Sequence, residues 1–100
     1  MYLTNAVATS PGDPAELRRL AHLLALRADY IGRIADHLDQ SVATMTFAGP
    51  AAQDWRCAMA CSTDSVRAGV ARMQAGAERL LRQAALVEQQ LALTAHLGGI

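Results

Sequence analysis

Cys57 and Cys61 are the only thiols of the chain. They lie four residues apart, which puts both on one side of a helix. Such a pair can ligate a metal or act as a redox couple. A disulfide between them is geometrically awkward within one helix, and two cysteines supply only half of a tetrahedral zinc site. The plainer reading makes them two small, semi-buried apolar residues near one end of a helical bundle. A cross-chain disulfide and a shared metal are the alternatives. His22, His37 and His96 are dispersed on largely polar stretches and read as solvated or interface histidines. No serine, histidine and acid fall at the spacing of a hydrolase elbow, and no glycine-rich phosphate loop follows a strand. No catalytic, cofactor-binding or metal-ligating set is assigned, and an enzyme is not expected. Asp29, Asp36 and Asp39 form an acidic edge on one predicted helix, and Arg67, Arg72, Arg79 and Arg82 a basic edge on another. The default is solvated faces with local pairing. Ion pairs between the helices that set their register are the alternative.

The elements that carry these residues are helical. Of 100 residues, 52% are hydrophobic and only 4% aromatic. Alanine and leucine dominate the apolar content, and both favour helices, whereas strand formers are scarce. A formal net charge of zero offers no basic excess for a phosphate backbone, so nucleic acid is not expected as a partner. No apolar run approaches the roughly 20 residues needed to span a bilayer. Met1–Ser10 has no basic start and too short an apolar core for a cleavable signal peptide. Export, if it occurs, would use a signal-peptide-independent route.

Met1–Gly12 reads as a flexible lead-in. Asp13-Pro14-Ala15-Glu16 then marks a helix start, with an N-cap, a proline at the first position and a capping-box acid. From there Leu17, Ala21, Leu24, Ala28, Ile31, Ala35, Leu38, Val42 and Met45 follow in alternating steps of four and three, a heptad seam on one helix face. Phe47, Gly49 and Pro50 interrupt it. Pro50 cannot continue a helix but is well placed to open the next. A second seam runs Val66, Val70, Met73, Ala77, Leu80, Ala84, Val87, Leu91 and Thr94, and Trp55, Met59 and Thr63 extend it upstream with a local stutter. Gly98-Gly99 closes it. The spacing predicts helices over 13–45 and 50–97 with a turn at 46–49, about 50 and 70 Å long. So short a connection makes them antiparallel neighbours.

Two helices bury one stripe each against the other, and here more apolar residues remain. Leu20, Leu23, Leu26, Tyr30 and Ile34 lie off the first seam, and Leu81, Leu86 and Leu93 off the second. Ser62, Gly69 and Gly76 recur every seven residues beside the second seam, small enough to admit another helix. Exposed contiguous apolar surface usually marks a protein interface. The expected architecture is an all-α hairpin that pairs into a four-helix bundle. Its interface is expected to include Leu20, Leu23, Ile34, Trp55, Gly69, Gly76, Leu81, Leu86 and Leu93.

The central segment Phe47-Ala48-Gly49-Pro50-Ala51-Ala52, followed by Trp55 and Arg56, resembles the signature of the WXG hairpin family. These are small helix-turn-helix proteins of type VII secretion in actinobacteria and related bacteria. Many members read Trp-Xaa-Gly-Pro-Ala-Ala at this point, and Phe47 stands in the tryptophan's place. The family's Tyr-Xaa-Xaa-Xaa-Asp/Glu tail signal has no counterpart in Leu91–Ile100. The resemblance implies a non-enzymatic half of a helical-hairpin dimer, homomeric or heteromeric, acting as a secreted subunit or as an export adaptor for a larger effector. It also implies a secreted or cell-surface location, or a cytoplasmic one before export. The alternative function is a helical dimerisation or regulatory adaptor module with no link to secretion.

Overall fold

Asp13 starts the first helix as its sequence predicts. It has extended φ/ψ of −70° and 120°, and its carboxylate accepts a 3.3 Å hydrogen bond from the Ala15 amide, which satisfies one of the donors a helix N-terminus leaves open. Pro14 follows in the first turn, where its missing N–H costs nothing. Glu16 turns to Arg19, one turn on, and not to the cap. The computed structural model describes residues 12–98. They form two helices, α1 (Pro14–Ala43) and α2 (Pro50–Gly98), packed against each other as an antiparallel hairpin. The lead-in expected over 1–12 lies, except for Gly12, outside the described residues.

α1 ends two residues before the Met45 that the seam predicts. The Thr44 hydroxyl donates back to the Ser41 carbonyl, and Arg56 reaches over from α2 to donate to the Phe47 and Met45 carbonyls at 2.7 and 3.2 Å. Those two carbonyls are thereby satisfied by a side chain outside any helical ladder. The Arg56 guanidinium also stands 5.1 Å from the Phe47 ring centre, and Trp55 meets the same ring at 5.6 Å with a 57° tilt. Phe47, Trp55 and Arg56 thus form one cluster that closes the hairpin end.

Gly49 has a φ of 111°, and its carbonyl accepts the first hydrogen bond of α2 from Gln53. A β-carbon added there would meet nothing within 4 Å, so its only penalty is conformational. Gly49→Val should therefore destabilise the hairpin by about 1–3 kcal/mol, the usual cost of forcing a branched residue into such a region. Urea unfolding followed by far-UV circular dichroism reads this directly. An unchanged midpoint would mean that the turn imposes no special backbone demand.

The helices meet on small residues. Ala21, Ala28 and Ala35 of α1 and Thr63, Ala77 and Ala84 of α2 are buried, and Ala28, Ala35 and Ala84 have no exposed surface. Most of these lie seven residues apart, so one heptad position carries the closest approach. Alanine there brings the axes toward the short end of the usual 8–10 Å separation. The larger seam residues alternate with them and are only half-buried: Leu24 and Ile31 on α1, Val70, Met73, Leu80 and Val87 on α2. Leu17 is the one large aliphatic residue that reaches the buried class among the described residues. The hairpin is a plank of 77 × 31 × 16 Å. The 49 residues of α2 span roughly 74 Å and set its length, so α2 overhangs the start of α1.

Candidate functional site: the two faces of the hairpin

A plank of two antiparallel helices has two broad faces, and helical geometry decides which residues share one. At about 100° per residue, Leu20, Leu24, Ile31, Ile34 and Leu38 fall on the same side of α1. Val66, Gly69, Met73, Gly76, Leu80 and Val87 fall on the matching side of α2. The two sets meet in one open, largely apolar trough, lined by Leu24 and Ile31 from α1 and by Val66, Gly69, Val70, Met73 and Gly76 from α2. A β-carbon at Gly76 would stand 3.3 Å from Leu24 Cδ2, so this glycine lets the leucine lie against the α2 backbone.

The opposite face is polar and ion-paired. Arg67 bridges the helices to Asp36, at 3.0 Å, and to Asp39, while Arg18 pairs with Glu88. Both readings of the two edges find a place: Asp29 and Arg82 pair locally, as the default had it, with Arg33 and Glu78, and the alternative of pairing between the helices holds for Arg67 alone of the four basic residues. The Arg67 hydrogen bond holds the Asp39 carboxyl below its ordinary range, against some desolvation, and the same bond raises the guanidinium's pKa. These side chains are about half exposed, so the pair sets register more than it adds stability.

The sign of its pH dependence follows from that shift. A lowered folded-state pKa contributes stability above the ordinary carboxylate value of about 4 and loses it as pH falls through the lowered value. The melting temperature should therefore drop on acidification below about pH 4, and the drop should shrink in Arg67→Gln. An identical acid profile in that variant would remove the pair as its cause.

The expected interface residues do not form one patch. Leu20, Ile34, Gly69 and Gly76 share the apolar face, and Leu23 lies at its border by helical position. Trp55 stands at the turn end against Phe47. Leu81 lies on the opposite face, among Arg18, His22, Gln74 and Glu78. Leu86 and Leu93 line a shallow hollow with Leu97 toward the C-terminal end of α2. Cys57 and Cys61, expected to be semi-buried, are both exposed free thiols. The reason is register: both fall on the side of α2 turned away from α1. Among the described residues no group of three or more His, Cys, Asp or Glu is placed to hold a metal ion, and no helix is long and apolar enough to cross a membrane.

Three residues in or beside the apolar face escape a reading based on hydrophobic spacing. Arg27 interrupts the α1 stripe, and Arg72 and Arg79 border the trough on α2. None of them pairs with an acid among the described residues. Helical spacing held the signal: Arg19, Arg33, Arg67 and Arg82 each have an acid three or four residues earlier, whereas Arg27, Arg72 and Arg79 have none at those distances on either side. No family model, no curated protein and no solved structure matches this chain.

Proposed function

We propose that this chain is a non-enzymatic partner-binding hairpin, one half of a four-helix bundle, and that it serves a type VII secretion pathway as a secreted subunit or export adaptor. One observation carries the pairing half of this reading. Apart from Leu17, the buried set among the described residues is alanine and threonine, while fifteen large hydrophobic residues stay at least a third exposed. So little burial makes a weak core for a domain of this size. A second hairpin laid on the trough would complete the burial of Leu24, Ile31, Met73 and Leu80.

The secretion half rests on the turn. Gly49 at positive φ, Pro50 at the first position of α2 and the Phe47–Trp55–Arg56 cluster give five of the eight residues that carry the resemblance a structural task. The test is co-purification of the tagged chain from its own host, with and without the host's type VII secretion ATPase. The expected result is an equimolar complex with a second small helical protein, and loss of one or both from the culture medium when the ATPase is deleted. A monomer in the host extract would overturn the pairing reading. A complex whose location ignores the ATPase would overturn the secretion reading alone and favour an adaptor outside secretion.

A further inference from the structure

Resting on the pairing reading, we infer that the partner on the apolar face is a hairpin of different sequence whose own apolar stripe is bordered by carboxylates, and that this chain is poorly suited to pair with itself. The net charge of zero conceals an uneven distribution. Five arginines (Arg18, Arg19, Arg33, Arg67 and Arg82) engage seven acids, namely Glu88, Glu16, Asp29, Asp36, Asp39, Asp64 and Glu78. The remaining acids are Asp13, which caps α1, and Asp54, near the turn end of α2 and about five turns from Arg72. Arg56 is occupied by the turn carbonyls. Arg27, Arg72 and Arg79 are left: Arg27 falls on the apolar face of α1, while Arg72 and Arg79 rise from the outer edge of α2 and border the trough.

Their placement on α2 repeats. Gly69-Val70-Ala71-Arg72 and Gly76-Ala77-Glu78-Arg79 follow each other seven residues apart. In each, the guanidinium lies back over its glycine: a β-carbon at Gly69 would be 3.7 Å from Arg72 Nη2, and one at Gly76 would be 4.0 Å from Arg79 Nη2. The helix therefore presents a cation over each glycine; the space at Gly76 is already taken by Leu24, and that at Gly69 is bounded by Arg72 alone. An incoming helix can lay apolar residues along the trough and set carboxylates against the two guanidinium groups at its edge.

The three arginines also share one level of the plank. Gly76 is opposite Leu24 and Gly32 is opposite Val70, so Arg27 falls between the levels of Arg72 and Arg79, on the other helix. Stacking two copies face to face about this level would set these arginines of one copy toward those of the other, with no unpaired carboxylate of this chain at that level to offset them. Like charges so placed disfavour the wrong partner. A partner with acids at these positions would be attracted, and more strongly at low salt.

The chain itself supplies an acidic-rimmed probe. The triple variant Arg27→Glu, Arg72→Glu, Arg79→Glu changes only exposed charges in and beside the apolar face and should keep its helicity by circular dichroism. Analytical ultracentrifugation of wild type, variant and their mixture is expected to give an equimolar mixed dimer. That dimer should form at concentrations at least about tenfold lower than either chain needs alone, and rising salt should erode the advantage. Two results would overturn the inference: wild type that self-associates as tightly as the mixture, or a mixture that does not associate. The first leaves the pairing reading intact if Ile34→Asp abolishes the self-association, whereas an additional failure to recover a partner from the host would sink both. Flotation of the wild type with phosphatidylserine vesicles, without mixed-dimer formation, would replace the protein partner with an anionic lipid surface.

Discussion

Ala28→Leu is expected to unfold this hairpin more effectively than Ile31→Ala, although the first adds three carbon atoms and the second removes three. Ala28 has no exposed surface and sits at the heptad position where the helices approach most closely. A leucine there cannot turn aside, because both neighbours in the heptad, Ala21 and Ala35, are buried on the same contact line. The helices must separate along several turns, and the contacts at those alanines weaken together. Overpacking costs about 1–3 kcal/mol at single core sites, and a rigid helix pair should fall at the upper end. For a domain of this size that is a fall of roughly 10–20 °C in melting temperature. Ile31 is only half-buried in the single hairpin, so its truncation should cost about 1 kcal/mol, below the 2–5 kcal/mol of a fully buried site. In complex with a partner its cost should rise toward that range. Thermal melts of the two variants settle the order. If Ile31→Ala proves the worse in the isolated chain, the alanine line is not the core.

How much of this was legible before the structure depends on which physical rule was at work. Both heptad seams were visible because helix periodicity is local: Ala21, Ala28, Ala35, Ala77 and Ala84 were all on them, and all are buried. Asp13, Gly49 and Pro50 announced the cap and the turn through backbone chemistry that acts within a few residues. The early end of α1 was not visible, because the Met45 and Phe47 carbonyls beyond it are satisfied by Arg56 from eleven and nine positions away. Nor did hydrophobic spacing alone separate Leu81 from Gly76, both of which lie off the α2 seam. They flank it on opposite sides, and only the pairing with α1 makes one side the trough and the other the ion-paired face. Counting acids at helical distance from each arginine would have singled out Arg27, Arg72 and Arg79, but a label of basic edge merged Arg72 and Arg79 with Arg67 and Arg82, which have other partners, and passed over Arg27.

Leu81 and Ile34 offer the sharpest test of the two-faced plank, because they are matched in everything but face. Each is an aliphatic residue in a long helix, 49% and 43% exposed respectively, and each can become aspartate at a similar cost in helix propensity. Ile34→Asp places a charge in the apolar stripe that a partner must cover, where it would be buried without a counter-ion. A central hydrophobic anchor lost in this way typically costs 2 kcal/mol or more, and an added buried charge should bring the loss of affinity for the host partner to at least about a hundredfold. Leu81→Asp places the same charge beside Arg18 and His22 on the ion-paired face, and affinity should change less than about threefold, on the scale of a surface substitution. Both variants should keep the circular dichroism of the parent, since neither residue belongs to the buried alanine line. A complex lost in both would extend the interface around the hairpin edge to the polar face. A complex lost only in Leu81→Asp would reverse the assignment of faces and take with it the role given to Arg27, Arg72 and Arg79.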